Sequence, residues 1–193
     1  MIYEAKNFDH LLGTKGFSDQ SLQNHFTLYQ GYVANTNKLL EKLSDLVKQE
    51  KTSTPEYAEF KRRFGWEFNG MRLHEYYFGS MTKENQSLDS NSELAKKIAQ
   101  DFGNYENWEN DFKATGALRG IGWAILYLDP ETGKLFNIWI NEHDLGHLAG
   151  GIPLLPIDVF EHAFITDYGL NRANYIKAFL NAINWEEVNK RLK

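Results

Sequence analysis

The first half of the chain carries a helical pattern of hydrophobic positions. From residue 18 to about 49, hydrophobic residues recur three or four positions apart, which is the spacing of an amphipathic helix. Ser18 is placed to cap the first turn of this helix. The polar stretch 51–55 interrupts the pattern, which resumes from Tyr57 to about Phe78. Two long helices joined by a short break predict an antiparallel helical hairpin.

The second half shows a mixed pattern after the polar, turn-rich segment 79–92. β-Branched and aromatic residues on either side of the sequence DPETG are typical of two strands joined by a tight turn. The elements predicted here are two short helices at about residues 92–101 and 105–116, and the two strands of this hairpin at 120–129 and 134–141. A third strand at 152–158 and a helical C-terminal part over 159–193 follow.

These patterns predict an α+β fold, with an N-terminal long antiparallel helical hairpin followed by an α/β lobe that contains a small three-stranded antiparallel sheet. The turn-rich segment marks the boundary between the two parts. We therefore predict an N-terminal helical-hairpin domain over residues 1–84 and a C-terminal α+β domain over residues 85–193.

Composition excludes several classes of function. The chain has 193 residues and is 42% hydrophobic, which is enough for a packed core rather than a disordered chain. Its net charge is −5 and it has no basic tract, so we expect no nucleic-acid partner. No apolar run approaches the roughly 20 residues of a membrane span. The N-terminal sequence lacks the basic start and apolar core of a signal peptide, which predicts a cytoplasmic protein.

The histidines suggest a metal site. The chain has no cysteine, so a bound metal would need histidine nitrogens and carboxylate or other oxygen atoms as ligands. His25 falls in the first long helix and His74 in the second, and antiparallel helices bring such inward-facing side chains together. We interpret two others, His10 and His147, as structural or surface residues.

The segment IDVFEHAF, residues 157–164, adds two candidate ligands. Asp158 and His162 are four positions apart and would share one face of a helix. The apolar residues before Asp158 predict a buried strand-to-helix junction, where an unpaired carboxylate is costly. The spacing alone leaves equally open a helix-capping aspartate next to an unrelated histidine.

Taken together, the four candidates form a set of three nitrogens and one oxygen. Such a set suits iron, manganese or zinc. The pattern by itself does not choose between redox chemistry, metal-assisted hydrolysis and structural metal binding.

The same residues lie in a longer stretch that resembles a known family. PLLPIDVFEHAF, residues 153–164, closely resembles the signature of the iron/manganese superoxide dismutases. The resemblance continues through DYGLNRANYIKAFLNAINWEEV at 167–188, and it is visible in GIGWAILY, FNGMRLHEYYF and NHFTLYQGYVANTN. It covers most of the chain in the order of the family.

The resemblance implies a superoxide dismutase, an oxidoreductase that converts superoxide to O2 and H2O2 by redox cycling of one iron or manganese ion per subunit. The implied metal ligands are His25, His74, Asp158 and His162, which places the site between the two predicted domains. It also implies a homodimer or homotetramer. The combination of Gly70 and His143 favours iron slightly.

The family also implies roles for residues around the metal. Tyr32 matches the gateway tyrosine of the substrate funnel, and Trp123 matches a tryptophan that lines the pocket. His143 matches the residue that hydrogen-bonds the solvent ligand, since Gly70 occupies the alternative place for that residue. Phe160 stands where the signature has tryptophan and would keep a flat apolar wall. Glu161 matches the glutamate that reaches the last ligand histidine of a partner subunit.

Two departures from the family pattern affect these assignments. Tyr32 follows His25 by seven residues where the family usually has eight, so the helix has to absorb a deletion. The family pairs a histidine of the first helix with a tyrosine of the partner subunit. Leu28 or Tyr29 replaces that histidine and Ile165 replaces that tyrosine, which puts the family's proton relay and dimer contact in question.

Two other functions compete with dismutation. A metal-dependent hydrolase would use the same ligands, but it needs an open coordination position and a general base, and the apolar walls from Phe160 and Trp123 disfavour it. A non-dismutase metal-binding protein that keeps the fold is favoured only by the missing histidine–tyrosine pair.

Overall fold

The computed structural model describes residues 2–192 and begins with the two long helices. Helix α1 spans Asp19–Lys48 and helix α2 spans Pro55–Gly79, and the two pack against each other as a hairpin. The Ser18 hydroxyl caps α1 by accepting a hydrogen bond from the Ser21 amide, which satisfies one of the free donors of the first turn. α2 begins at Pro55, as expected from the sequence, because the fixed φ of proline suits the first turn of a helix. The predicted hairpin is confirmed.

The second half contains five short helices and three strands among the described residues. They are, in chain order, α3 (Glu93–Phe102), α4 (Tyr105–Gly116), β1 (Gly122–Leu128), β2 (Leu135–Asn141), β3 (Ile152–Asp158), α5 (Ile165–Tyr168), α6 (Arg172–Leu180) and α7 (Trp185–Lys190). The α+β fold class predicted from the sequence is therefore confirmed.

The three strands form one antiparallel sheet with the order β2-β1-β3. Every residue of the central strand β1 is buried, because helices and the neighbouring strands cover it. In the β1–β3 register Trp123 lies opposite Asp158, and α2 packs against β3. The sheet therefore places an indole and a carboxylate side by side under the second long helix.

The chain after β3 differs from the continuous helical pattern that we predicted. Asp158 is the last residue of β3, and a short 3₁₀ helix, Glu161–Ala163, follows it. The Oδ1 atom of Asp158 accepts a hydrogen bond from the Phe160 amide at 2.9 Å, which is a local turn that competes with helix formation. The prediction that Asp158 and His162 share a helical face is therefore wrong, although the turn does bring the two side chains together.

Within residues 2–192, no helix combines the length and the apolar composition that crossing a membrane requires.

Candidate metal centre

Four side chains from both halves of the chain meet at one buried point. His25 comes from α1, His74 from α2, Asp158 from the end of β3 and His162 from the 3₁₀ helix. Each offers one ligand atom, and these atoms all lie within 4.8 Å of one another. The structure thus brings together the four residues that the sequence singled out.

The carboxylate of Asp158 lies at the middle of this cluster. Its Oδ2 atom is 3.2 Å from His25 Nε2, 3.1 Å from His162 Nε2 and 3.5 Å from His74 Nε2. Burial disfavours the ionised form, but the interactions with His162 and His25 outweigh it and hold the pKa of Asp158 well below its usual range. The cluster therefore contains a permanent negative charge facing three imidazoles.

His74 presents an unpaired nitrogen to the cluster. Its Nδ1 atom donates to the Gly70 carbonyl oxygen at 2.5 Å, which fixes the ring and leaves Nε2 without the proton. Burial, followed by the neighbouring His25, lowers the pKa of His74 well below its ordinary value, so the ring is neutral. Its Nε2 atom is fully buried without a hydrogen-bond partner among the described residues.

That orphaned nitrogen is the observation that tests the fit of a metal. A buried acceptor without a partner costs free energy, about 1–3 kcal/mol, unless something else satisfies it. A cation would do so, since it accepts lone pairs from imidazole nitrogens and from a carboxylate oxygen. The donor set of three nitrogens and one oxygen suits iron or manganese. The residues present therefore fit the cofactor that the resemblance implies.

Tyr32 lies beside the cluster despite the shortened spacing. α1 is an uninterrupted α-helix, so positions 25 and 32 are two turns apart and share a face. The Tyr32 ring stacks on the His74 ring with centroids 5.2 Å apart. Its hydroxyl oxygen is 2.9 Å from His143 Nε2. Burial raises the pKa of Tyr32, so this hydroxyl stays protonated.

Gly70 makes room for the Tyr32 ring. A Cβ atom at position 70 would lie 2.6 Å from a carbon of that ring, which is closer than any real contact. In the sequence, Gly70 marks only a place where the hydrogen-bond donor of the family is missing. Its packing role involves a residue 38 positions away, and no local pattern reveals it.

His143 is locked in one protonation state. The indole nitrogen of Trp123 donates to His143 Nδ1 at 3.0 Å, and indole is a donor only. Nδ1 is therefore the acceptor, and Nε2 carries the proton that is donated to the Tyr32 hydroxyl at 2.9 Å. Burial lowers the pKa of His143 to about 4, so the ring is neutral at physiological pH.

Aromatic rings enclose the cluster. The Phe160 ring lies between two imidazoles, with centroids 4.8 Å from His143 and 5.2 Å from His162. The Trp123 ring meets the His74 ring edge to face at 5.1 Å. Phe160 and Trp123 thus place aromatic rings against three of the imidazoles at the site, where the family resemblance implies them.

The structure also contains contacts that the sequence analysis missed. The Trp66 indole nitrogen donates to Glu142 Oε2 at 2.9 Å, and the Trp66 ring lies 4.5 Å from the His143 ring. His147, interpreted from the sequence as a structural or surface residue, is half-buried, and its Nε2 atom lies 2.8 Å from the His143 carbonyl oxygen. Both contacts hold the loop that carries His143. For Glu142 and His147 the only signal in the sequence was their closeness to His143, and nothing in the sequence pointed to Trp66.

Glu161 lies at the surface of the protein. It is exposed and lines a shallow depression with Leu118, Leu170 and Arg172. Leu170 is 93% exposed and Leu118 50%, so two apolar side chains lie open in the depression that the glutamate lines. Ile165, four residues after Glu161 in the chain, is 50% exposed.

The low pKa of His143 predicts a pH dependence of stability. The folded ring titrates at about 4 and the unfolded one at 6.5, so between these values the unfolded metal-free protein binds more protons. The free energy of unfolding should therefore fall as the pH drops from 6.5 to 4, with His143 contributing on the order of 2–3 kcal/mol. Urea unfolding of metal-free His143→Gln should show a shallower fall than the parent chain. Parallel curves for the two proteins would contradict the assignment.

Comparison with known proteins gives a consistent result. Residues 90–191 match the family model described as iron/manganese superoxide dismutases, C-terminal domain. The chain is similar to an iron superoxide dismutase of Aquifex pyrophilus, with 37% identity over 100% of this chain and 92% of the relative. It is 35% identical to an iron superoxide dismutase of Cupriavidus metallidurans, over 99% of this chain and 96% of the relative. A manganese superoxide dismutase of Haloferax volcanii is 34% identical over 84% of this chain and 80% of the relative.

Proposed function

Because this chain belongs to the iron/manganese superoxide dismutase family, we propose that His25, His74, Asp158 and His162 hold the metal with which it converts superoxide to O2 and H2O2. The protein is a superoxide dismutase, an oxidoreductase. The observation that carries the ligand proposal is the convergence of four ligand atoms within 4.8 Å, including a buried nitrogen without a partner. The bound ion supplies one-electron redox chemistry, while the protein supplies the surroundings.

The surroundings are suited to superoxide chemistry in two ways. The ionised Asp158 adds negative charge next to the ion, which favours a more oxidised metal. The rings of Phe160 and Trp123 limit water around the cluster and so strengthen the electrostatic interactions within it.

Tyr32 and His143 are the proposed proton-handling residues. His143 donates its only proton to the Tyr32 oxygen, so the Tyr32 hydrogen is directed elsewhere and is available to a small anion. Both groups are neutral near pH 7, because burial raises the pKa of Tyr32 and lowers that of His143. The pair thus forms a fixed hydrogen-bond chain from Trp123 through His143 to Tyr32.

The metal is one iron or manganese ion per subunit, and we propose iron as the working metal. The names of the Aquifex and Cupriavidus relatives specify iron, and the Gly70/His143 combination points the same way. The decisive experiment is the rate of superoxide decay with metal-stripped protein reconstituted separately with iron and with manganese. Faster decay with iron is expected. Equal or greater activity with manganese would overturn the iron proposal. Stoichiometric binding without activity in either form would mean that the fold serves another purpose.

Gly70→Ala should displace Tyr32 and lower activity while the metal stays bound. The added methyl group collides with the Tyr32 ring and not with a proposed ligand, so the Tyr32–His143 hydrogen bond should break. We expect a loss of activity of roughly tenfold or more, since proton transfer by a positioned group is worth at least that much. Gly65→Ala, on the same helix with open space around its Cβ position, is the matched control. An unchanged rate of superoxide decay with Gly70→Ala would show that the position of Tyr32 is not important for dismutation.

We propose that the chain is organised as the helical-hairpin domain 1–84 and the α+β domain 85–193, with the metal site between them. Two supporting observations are that His25 and His74 come from the hairpin while Asp158 and His162 come from the rest, and that α2 packs against β3. The family match begins at residue 90, close to the proposed boundary.

We further propose a homodimer or homotetramer in which Glu161 faces a second subunit, as the family resemblance implies. The exposed apolar side chains of Leu118 and Leu170 beside this glutamate, and of Ile165 four residues after it in the chain, support the proposal, because exposed apolar patches mark interaction surfaces. With Ile165 in the patch, this interface would rest more on apolar contact than on polar pairing.

Glu161→Lys should weaken assembly. It replaces the proposed bridging carboxylate with a cation, and removing one partner of a buried charged pair costs about 2–5 kcal/mol. Sedimentation equilibrium should show a dissociation constant at least about tenfold higher than that of the parent chain. Glu131→Lys, an exposed glutamate in the β1–β2 turn, applies the same change of charge elsewhere. Equal assembly of the two variants would argue against Glu161 at an interface.

The cytoplasmic location stays a prediction, and fractionation of expressing cells is the measurement that checks it.

A further inference from the structure

A second cavity, separate from the metal centre, has a different character. It is a pocket of about 390 Å³, partly open to solvent, between the loop before α1, the loop after α2 and helix α6, and its charged and amide side chains are exposed. None of the four proposed metal ligands lines it, nor do Tyr32 and His143. Its chemistry is set by three lysines and three asparagines, namely Lys15, Lys83, Lys177, Asn85, Asn174 and Asn181.

The charge of this cavity is opposite to that of the chain. The protein carries a net charge of −5, yet within the described part of the chain the charged side chains that line the cavity are all lysines. No carboxylate of residues 2–192 lies within ion-pair distance of Lys15, Lys83 or Lys177. Three ammonium groups around one cavity repel one another, and an anion between them would remove that repulsion.

The asparagines provide further donors. In the part of the chain that the structure describes, the side-chain amides of Asn85, Asn174 and Asn181 make no hydrogen bond to protein. Each amide offers two N–H donors to a ligand. The nearest carboxylate along the chain, Glu84, does not line the cavity and instead accepts a hydrogen bond from the Gln86 side chain at 3.3 Å.

The walls of the cavity are tied to each other. The Thr82 amide donates to the Ala182 carbonyl oxygen at 2.7 Å, which joins the loop after α2 to the end of α6. The Tyr168 hydroxyl donates to the Gly16 carbonyl oxygen at 2.5 Å. Gly16 has a φ of +91°, and a Cβ there would lie 2.9 Å from the Ala178 Cβ, so glycine lets the first loop pack on α6. A preformed cavity lowers the entropic cost of binding.

We propose that this cavity binds a small phosphorylated molecule that carries at least two negative charges. Phosphoryl oxygens are acceptors only, and they match a lining of ammonium and amide donors. The volume is that of a small-ligand site. A nucleic acid would need a basic groove that extends along the surface, whereas this pocket is confined to about 390 Å³. The site is independent of dismutation, because it shares no lining residue with the proposed metal centre.

The test uses the full metal-loaded chain and pyrophosphate as the probe. Calorimetry at an ionic strength of about 0.15 M should give a dissociation constant of about 1 mM or tighter. The double variant Lys15→Gln/Lys177→Gln should bind at least about tenfold more weakly, since it removes two charge-assisted contacts. Lys42→Gln/Lys61→Gln makes the same change of net charge at exposed lysines outside the cavity and should stay within about twofold of the parent.

Several outcomes would overturn the proposal. Equal weakening in the two double variants would mean that only the overall charge matters. No pyrophosphate binding by the parent chain would overturn it as well, including the case in which a single-stranded oligonucleotide binds instead. Amide NMR shifts confined to residues 14–16, 82–85 and 174–182 would support it, and shifts centred elsewhere would not. Dismutation by Lys15→Gln/Lys177→Gln should remain within about twofold of the parent, which separates this site from the metal centre.

Discussion

Asp158→Ala is expected to abolish metal retention and, with it, dismutation. The Asp158 carboxylate is fully buried, and its Oδ2 atom is within 3.5 Å of a nitrogen from each of His25, His74 and His162. It is the only anionic group among the four proposed ligands. Mutation of residues that merely orient ligands lowers metal affinity by about 10–100-fold, so removal of a charged ligand should exceed that range. Metal content by mass spectrometry after dialysis should fall to background, and the catalysed rate with it.

The control has to separate loss of the metal from loss of the fold. Asp129 comes directly after β1, as Asp158 ends β3, and it also accepts a hydrogen bond from a backbone amide two residues later, but it is only partly buried. Asp129→Ala should keep both the metal and the activity. Circular dichroism of metal-free Asp158→Ala should match that of the metal-free parent. Stoichiometric metal in Asp158→Ala would overturn the ligand assignment, whatever its activity.

The sequence predicted those parts of the fold that depend on local periodicity. The helical spacing of hydrophobic residues gave α1 and α2 with errors of a few residues at their ends, and the sequence DPETG marked the turn between β1 and β2. The segment after Asp158 was predicted less well. Its side chain bonds the Phe160 amide, and this choice between a turn and a helix depends on a single hydrogen bond.

The candidate site was predicted through chemistry rather than geometry. Histidines on two antiparallel helices and an aspartate–histidine pair marked four candidates, and the family resemblance of residues 153–164 is what joined them into one ligand set. The packing of Tyr32 on Gly70 and the Trp66–Glu142 hydrogen bond join residues far apart in the chain. Such contacts leave no periodic signal and follow only from the folded structure.

His143→Gln is expected to change the balance of activity between the iron and manganese forms while the metal stays bound. Glutamine is able to keep both hydrogen bonds of His143, since its oxygen accepts from Trp123 and its nitrogen donates to Tyr32. The substitution changes the polarity and basicity of the side chain that donates to the Tyr32 hydroxyl. Residues around a metal site tune the redox potential of the metal in this way. We expect the ratio of iron-form to manganese-form activity to shift by about tenfold, which corresponds to about 1.4 kcal/mol in the barrier.

The expected shift depends on His143 acting through Tyr32 and not through the fold. His143→Leu removes both hydrogen bonds while keeping an apolar side chain, so both metal forms should lose activity together and the ratio should change less than in His143→Gln. Metal content should remain stoichiometric in both variants, since His143 is not among the four residues whose ligand atoms converge. If the ratio in His143→Gln equals that of the parent, then His143 does not set the metal preference, and the preference has to come from the four proposed ligands themselves.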